Sequence, residues 1–483
     1  MPPARKPKLT FVEPPPVGRK TPERLAGCSY ELYHMPDLGN LYAFTWLDRE
    51  GYPVGYLDAV SERMAEPAFL AWVARDDSDI YVIHSVVLAK EGDLEYIPKI
   101  LRARPQARIF VHGPEPTRVP EEYLIDPRVV VFRGELEKSL LEYLETGDSP
   151  GISFRSNGAA LHRPPRRDLV SFDELPIPKR DHPALARTLK GYHNPKLRRR
   201  PQTVMLASRG CAYHCNYCVP LSTSFASEME HRHNFGRKPP QRFASPERVI
   251  EEFREIQRLG YRAVMVLDDQ FLSRDSARTL AICDGLAELD LEWGMLSRAD
   301  LLQDPKVVRA LRRAGCVSID IGVENFNQRT LDSMRKGMDV EDVYRSLALL
   351  REVGIEPKVN IMFGTDPQET FAEMDQTVAT LKQLKIDNVM FAVATPFKGT
   401  PFYDKIKASG YLKDDTDKIN PIGKAVIEYP QLSSAALTAY VNRVYRRFYL
   451  RPEWIWRRIR SYRSPLDLVH DLQNAAKLFK TAE

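Results

Sequence analysis

The sequence contains no long hydrophobic run. Nowhere do eighteen or more apolar residues follow one another, so we expect no transmembrane segment. No apolar segment follows the basic residues at the N-terminus, so we expect no signal peptide. Cysteine is also scarce, with six residues in 483, which indicates a reducing compartment rather than a disulfide framework. Together these absences predict a cytoplasmic protein.

The net charge of the chain is also small. The formal net charge is +5 over 483 residues, so the composition does not predict a nucleic-acid partner. Hydrophobic residues make up 43% of the chain and charged residues 28%, which is typical of a globular protein with an ample core. The length allows two or three domains.

Three of the six cysteines are grouped at the spacing C-x3-C-x2-C: Cys211, Cys215 and Cys218. Thiolates so close together can hold one compact metal centre. Iron–sulfur clusters commonly have four cysteine ligands, and structural zinc also takes a closed set of four. No second C-x-x-C and no histidine pair lies nearby to supply a fourth ligand. The motif therefore predicts a cluster with one iron open to a small molecule, the alternative being three structural cysteines grouped by chance.

Strand and helix patterns alternate in the first third of the chain. Apolar segments at 9–12, 54–58, 80–85, 108–112 and 129–132 are separated by helical periodicity. This alternation predicts a doubly wound, Rossmann-like parallel sheet in a domain of residues 1–149. Ligands bind such sheets at the carboxyl ends of the strands, where this sequence has Ser85, Gly113 and Gly134. The two glycines would let a flat ligand approach the backbone, or they only form turns.

A second α/β pattern follows a linker that we place at residues 150–200. Six apolar segments, at 203–206, 263–267, 292–295, 317–321, 358–363 and 388–391, alternate with helical segments. Six units are fewer than the eight of a closed barrel, so we predict a partial (β/α)6 barrel over residues 201–410. Residues 411–483 are predicted to form a C-terminal helical extension. The cysteine motif follows the first strand, which places it at the carboxyl rim of the barrel.

Polar residues and glycines follow the later strands of this barrel. They are Asp268, Asp269, Gln270, Arg298, Glu324 and Gly364. Because the carboxyl ends of the strands share one rim, their recurrence predicts a site there. The alternative is that each residue only caps the helix that follows it.

These residues resemble a known family. The motif with Tyr217 before its third cysteine, Asp-Asp-x-Phe after the second strand and Gly-Val-Glu after the fourth resemble radical S-adenosylmethionine enzymes with an N-terminal cobalamin-binding domain. The resemblance implies a 4Fe-4S cluster on the three cysteines, with S-adenosylmethionine on its open iron. It implies that Asp268, Asp269 and Gln270 meet the methionine amino group, and that Arg298 and Glu324 contact the methionine and ribose parts. It further implies that the segment from Ile361 to Gly364 lies near the adenine.

The resemblance also implies cobalamin at Ser85, Gly113 and Gly134. The Asp-x-His-x-x-Gly motif of cobalamin-ligating domains is absent, so the corrin would bind without that histidine, or the sheet only shapes the substrate pocket. The implied activity is cobalamin-dependent methylation of an unactivated carbon on a lipid, tetrapyrrole or natural product. The alternatives are radical cyclisation or rearrangement without methyl transfer, and a non-catalytic iron–sulfur protein. The implied reductant is a flavodoxin or ferredoxin.

Aromatic residues alternate with arginines near the C-terminus, over residues 448–460. Such a segment could make peripheral contact with a membrane surface. The interpretation favoured by the sequence alone is that Trp454 and Trp456 pack on the barrel while the arginines are solvated.

Overall fold

The computed structural model describes residues 5–18, 20–31, 34–190, 192, 194–415 and 423–461. The chain divides into two compact units. The first comprises Met1–Ala212 and Val219–Trp293, and the second comprises Tyr213–Cys218 and Gly294–Glu483. The predicted division into four segments was drawn on sequence pattern and stays a prediction.

The first unit contains a seven-stranded sheet, in the order β2-β1-β3-β4-β5-β6-β7. From β2 to β5 in this order, each strand is parallel to its neighbour. Strand β6 is antiparallel to both β5 and β7. The predicted parallel sheet is confirmed. The strands are β1 Leu9–Glu13, β2 Val54–Asp58, β3 Ile80–His84, β4 Arg108–His112, β5 Val129–Phe132, β6 Ile152–Ser156 and β7 Ala159–His162.

The hairpin of β6 and β7 was not predicted and occupies the start of the predicted linker. A signal for it was present, because Asn157-Gly158 is the preferred dipeptide of a two-residue hairpin turn. Both residues have positive φ, 50° and 81°, as such a turn requires. The hairpin extends the sheet beyond β5.

Helices cover both faces of this sheet. They are α1 Leu38–Arg49, α2 Glu66–Arg75, α3 Lys90–Ala103, α4 Pro114–Arg118, α5 Pro120–Tyr123 and α6 Glu137–Thr146. The rings of Phe69 in α2 and Tyr96 in α3 lie 5.5 Å apart. On α1, the Phe44 ring lies 6.1 Å from Phe11 of β1. The strand order reverses between β1 and β3, and such a switch point is where doubly wound sheets bind ligands.

The second β/α pattern begins in the first unit, after α7 Ala186–Lys190, with β8 Gln202–Met205. β8 pairs in parallel with β11. A short antiparallel ribbon, absent from the prediction, is formed by β9 and β10. The other elements are β9 Ser208–Arg209, α8 Ser222–Phe235, β10 Arg242–Phe243, α9 Pro246–Arg258, β11 Ala263–Val266 and α10 Ser276–Leu286.

The pattern continues through β12 Glu292–Ser297, whose residues run from the first unit into the second. In the second unit, β13, β14 and β15 form parallel neighbours. All six predicted strands are present. The elements are α11 Pro305–Arg313, β13 Cys316–Glu324, α12 Gln328–Ser333, α13 Val340–Val353, β14 Glu356–Phe363, α14 Phe371–Gln383, β15 Asn388–Val393 and α15 Pro401–Ala408.

Two helices follow, α16 Ser434–Tyr449 and α17 Pro452–Ser461. Residues 416–422 and 462–483 of the predicted helical extension lie outside the described residues. In the described part of the chain, every helix is too short or too polar to cross a membrane.

Gly113, directly after β4, has a φ of +112°. A Cβ atom there would lie 2.4 Å from the Ser85 carbonyl oxygen and 2.6 Å from Cδ2 of His84. We expect Gly113→Ala to lower the free energy of unfolding by about 2–4 kcal/mol, measured by urea denaturation. Gly134→Ala is the matched control, because Gly134 has a φ of +75° but a Cβ atom there would have no neighbouring atom within 4 Å. Its expected cost is about 1–2 kcal/mol, and an equal cost for the two variants would contradict the close contact at Gly113.

Candidate active site

The cysteine loop is held at both ends by one carboxylate. Asp269 Oδ2 accepts a hydrogen bond from the Gly210 N–H (3.0 Å), and Asp269 Oδ1 accepts one from the Leu221 N–H (2.7 Å). Gly210 precedes the first cysteine of the motif, and Leu221 follows the last by three residues. Asp269 therefore fixes where the loop leaves and rejoins the fold.

Asn216, which sequence reasoning missed, anchors the middle of the loop in the second unit. Its backbone N–H donates to the Met334 carbonyl (3.0 Å), and its side-chain amide donates to the Ser333 carbonyl (2.9 Å). Its own carbonyl accepts from the Phe402 N–H (3.0 Å). Asn216 is buried, while Cys215 is half-buried and Cys218 is exposed. The anchored residue thus leaves the cysteines beside it accessible.

The donor set has the chemistry of an iron–sulfur cluster. Cys211, Cys215 and Cys218 can supply three thiolates, and none of the six cysteines forms a disulfide. In the described ranges, the structure contains no group of three His, Cys, Asp or Glu side chains placed to hold a single metal ion. The predicted cluster on the three cysteines therefore stays a prediction.

A guanidinium group lies beside Cys215. Arg298, directly after β12, donates from Nη1 to the Cys215 sulfur at 3.7 Å. The group is fixed by Asp300 Oδ1 (2.8 Å) and the Gly337 carbonyl (3.1 Å), and it stacks on the Tyr213 ring at 3.6 Å. The guanidinium group therefore places a positive charge beside the Cys215 sulfur.

A second cation, Lys336, was also missed by sequence reasoning. Its buried ammonium pairs with Glu324 Oε1 at 3.0 Å and donates to the Tyr217 hydroxyl at 3.2 Å. Burial alone would lower the pKa of Lys336, but the charges of Glu324 and Cys215 raise it above its usual value. Lys336 is therefore an ammonium ion at neutral pH. Removal from water, together with the negative charge of Glu324, raises the pKa of Tyr217 well above its usual value, so Tyr217 keeps its proton.

The backbone at Glu324 departs from regular strand geometry, and this departure accommodates its ion pair with Lys336. Glu324 has a φ of +67°, and the pairing of β13 with β14 is irregular between Gly322 and Glu324. A Cβ atom at Gly322 would lie 2.7 Å from Glu324 Oε1 and 3.0 Å from Lys336 Nζ. The irregular strand end and the missing side chain together make room for the ion pair.

We expect Lys336→Met to lower the free energy of unfolding by about 3–5 kcal/mol, because Glu324 would be left as a buried charge without its counter-ion. The double variant Lys336→Met/Glu324→Gln is expected to recover most of this loss in urea denaturation. Lys358→Met is the matched control, because Lys358 also pairs with a carboxylate of β13, Asp320 (3.0 Å), but is more exposed. No recovery in the double variant would contradict the assigned partnership.

The carboxylate of Asp268 accepts hydrogen bonds from residues that lie just before the cysteine loop. It is fully buried, and its two oxygens accept from the Ala207 N–H (2.6 Å) and the Ser208 hydroxyl (2.7 Å). The Gln270 carbonyl accepts from the same hydroxyl at 3.1 Å. These contacts tie the end of β11 to the residues before the cysteine loop. The predicted contact of Asp268, Asp269 and Gln270 with a methionine amino group stays a prediction.

Burial raises the pKa of Asp268 to about 7, although its hydrogen bonds oppose the shift. The folded protein therefore binds a proton that the unfolded chain releases near pH 4. Stability from this proton is present at low pH and is lost as the pH rises to about 7, with a slope of up to about 1.4 kcal/mol per pH unit.

We expect Asp268→Asn to remove this slope from the pH dependence of urea denaturation between about pH 4 and 7. Asp275→Asn, which changes an exposed aspartate at the start of α10, is the control and should keep it. An unchanged slope in Asp268→Asn would show that another group titrates.

Ile361 and Gly364 belong to the last part of β14 and the turn after it. Ile361 is buried and lies opposite Phe391 of β15. Gly364 has a φ of +84°, and its N–H donates to the buried Glu369 at 2.6 Å. The Gly364 carbonyl accepts from the Tyr429 hydroxyl at 3.1 Å. Gly364 therefore forms a tight turn, and its proximity to an adenine stays a prediction.

The residues predicted to meet cobalamin have three different environments. The buried Ser85 hydroxyl is hydrogen-bonded to the Tyr123 hydroxyl at 2.8 Å. The open side of Gly113 is filled by His84 and the Ser85 carbonyl. Only Gly134 has open space on the side where a Cβ would stand.

An orphaned polar atom lies at the carboxyl end of β3, beside the switch point. His84 is buried, its Nδ1 is hydrogen-bonded to Asp37, and its ring stacks on His112 with centroids 4.6 Å apart. Its Nε2 is buried without a hydrogen-bond partner. An unsatisfied group of this kind is uncommon in folded proteins and fits a place where a ligand completes the structure. These residues are thus compatible with a corrinoid at this end of the sheet.

Comparison with known proteins defines the class. Residues 205–381 match the model of the Radical SAM superfamily, so this part of the chain is a radical SAM domain. A domain of this family indicates an enzyme that uses a 4Fe-4S cluster and S-adenosylmethionine.

Individual relatives cover more of the chain. An uncharacterized methyltransferase of Pyrococcus horikoshii is 27% identical over 430 residues, which is 86% of this chain and 88% of the relative. An anaerobic magnesium-protoporphyrin IX monomethyl ester cyclase of Rubrivivax gelatinosus is 24% identical over 248 residues, covering 50% of this chain and 41% of the cyclase.

The fold is shared with a solved structure. The radical S-adenosylmethionine methyltransferase TsrM of Kitasatospora setae, with cobalamin and a 4Fe-4S cluster bound, superposes with a TM-score of 0.64. It is 17% identical, and the match covers 90% of this chain and 85% of TsrM. The predicted arrangement, a Rossmann-like sheet followed by a radical SAM barrel, is therefore confirmed.

Proposed function

We propose that the protein binds a 4Fe-4S cluster through Cys211, Cys215 and Cys218, cleaves S-adenosylmethionine reductively, and methylates an unactivated carbon of a small molecule in a cobalamin-dependent reaction. The observation that carries the proposal is the cysteine loop, because it is fixed by Asp269 and Asn216 while its cysteines stay accessible. A flavodoxin or ferredoxin is the proposed electron donor.

Residues of the second unit have defined roles in this proposal. The three cysteines would hold a cluster able to supply the electron for reductive cleavage of S-adenosylmethionine, which would yield methionine and a 5′-deoxyadenosyl radical. Arg298 offsets negative charge at Cys215 and is held in place by Asp300. Lys336 holds the Glu324 carboxylate in one orientation, ready to accept a hydrogen bond from the amino acid or ribose part of S-adenosylmethionine.

Cobalamin is assigned to the N-terminal sheet. The switch point between β1 and β3, the orphaned Nε2 of His84 and the open side of Gly134 support this assignment. TsrM, a methyltransferase with the same fold and with cobalamin bound, supports methyl transfer as the outcome. The similarity to an anaerobic cyclase keeps ring closure as the second candidate, with a tetrapyrrole as one of the substrate classes.

After anaerobic reconstitution, we expect the protein to form 5′-deoxyadenosine from S-adenosylmethionine when a reductant is added. Cys218→Ala is expected to lose the cluster absorbance, the bound iron and this product. Cys28→Ala is the matched control, because Cys28 is half-buried and outside the motif, and burial raises its pKa to about 12. A Cys218→Ala protein that still forms 5′-deoxyadenosine would refute the site.

Two further measurements test cobalamin binding and distinguish methylation of the substrate from its cyclisation. A corrin absorption spectrum after incubation with cobalamin supports the assignment to the N-terminal sheet. With a candidate substrate and S-adenosylmethionine labelled in its methyl group, methylation adds a labelled methyl to the product. Cyclisation removes hydrogen and adds no label, and that result would replace the methyltransferase proposal.

A further inference from the structure

Helix α17 is fastened to the second unit along one face. The Trp454 indole N–H donates to the Asp387 carbonyl at 2.9 Å, and the Arg457 guanidinium pairs with the Asp387 carboxylate at 2.6 Å. Residues three apart lie on the same face of a helix. Trp454 therefore packs as the sequence predicted, and its face of the helix points toward the start of β15.

The other side of α17 presents apolar side chains to solvent. Ile455, Trp456 and Ile459 are 39%, 56% and 50% exposed, and the neighbouring Leu450 is 56% exposed. These are four of the seven large hydrophobic residues that are exposed in the described part of the chain. The prediction that Trp456 also packs on the barrel is wrong, because anchoring through Trp454 and Arg457 turns it outward.

Positive charge is concentrated around this apolar surface. Residues 443–460 contain seven arginines and one glutamate. Because Asp387 neutralises Arg457, the net charge of this segment is +5, as large as that of the whole chain. The guanidinium group of Arg460 lies 4.5 Å from the centroid of the Trp456 ring. An amphipathic helix with tryptophan and isoleucine among arginines has the composition of a segment that lies in the headgroup region of an anionic bilayer.

We propose that α17 docks the protein on an anionic lipid surface, with Ile455, Trp456 and Ile459 entering the boundary between headgroups and acyl chains. The surrounding arginines contact the lipid phosphates. This role is independent of the proposed chemistry, because no residue of α17 belongs to the candidate active site.

Two other occupants lack the complementary charge. A second copy of the chain would present the same cationic surface and would be repelled. Residues 462–483, which follow α17, contain three basic and three acidic residues and so offer no net negative charge. An anionic bilayer supplies both an apolar layer and the opposite charge.

The test is flotation of the purified full-length protein with vesicles of phosphatidylcholine alone or with phosphatidylglycerol added. We expect binding to the anionic vesicles only, weakened by salt. The variant Ile455→Ser/Trp456→Ser/Ile459→Ser is expected to bind these vesicles with an affinity at least about tenfold lower. Val17→Ser/Ile125→Ser/Leu161→Ser is the matched control, because it removes three exposed apolar residues elsewhere and should bind normally.

Arg458→Gln/Arg460→Gln should also weaken binding to anionic vesicles, which tests the charge separately from the apolar surface.

Equal binding to both vesicle types, or binding that the triple serine variant retains, would overturn the proposal. So would a dimer in solution that this variant dissociates without any vesicle binding. Binding that appears only after deletion of residues 462–483 would assign the surface to that segment instead. Matching unfolding midpoints for all variants show that the helix change has not disturbed the fold.

Discussion

The hydrogen bonds of Asp269 to Gly210 and Leu221 are the constraint on which the candidate site depends. A loop with one glycine and no regular structure has many conformations, and ordering it costs about 1–2 kcal/mol per residue. Asp269 fixes both ends of the cysteine motif with one side chain. Asp268 adds contacts to Ala207 and Ser208 just before it. The two adjacent acids after β11 therefore shape the loop before any cofactor binds.

The loop is also connected to the N-terminal sheet. Arg209, which precedes Gly210, is buried and forms ion pairs with Glu137 and with Glu135. Both acids follow Gly134 at the carboxyl end of β5. Arg242 pairs with Glu135 as well. A buried network of this kind is costly unless every charge is matched, so the end of the N-terminal sheet and the start of the cysteine loop are fixed relative to each other within the first unit.

The strands and the cysteine motif were predictable because their signals are local. Apolar runs between turn residues located all six strands of the second pattern and the five parallel strands of the first sheet. Lys336 and Asn216 were not predictable, since their importance comes from contacts across long sequence separations, to Glu324, Tyr217 and the carbonyls of Ser333 and Met334. Trp456 was wrongly predicted to pack on the barrel, because the sequence alone does not show that Trp454 and Arg457 set the orientation of α17. The β6–β7 hairpin was within reach, through its Asn-Gly turn.

The hydrogen bonds that order the cysteine loop are separate from its possible ligands. Asp269 and Asn216 bond to Gly210, Leu221, Met334, Ser333 and Phe402, and none of these contacts uses a cysteine side chain. A substitution at any of the three cysteines therefore removes a potential ligand without removing the contacts that order the loop. Loss of cofactor binding and loss of loop structure are accordingly separable by mutation.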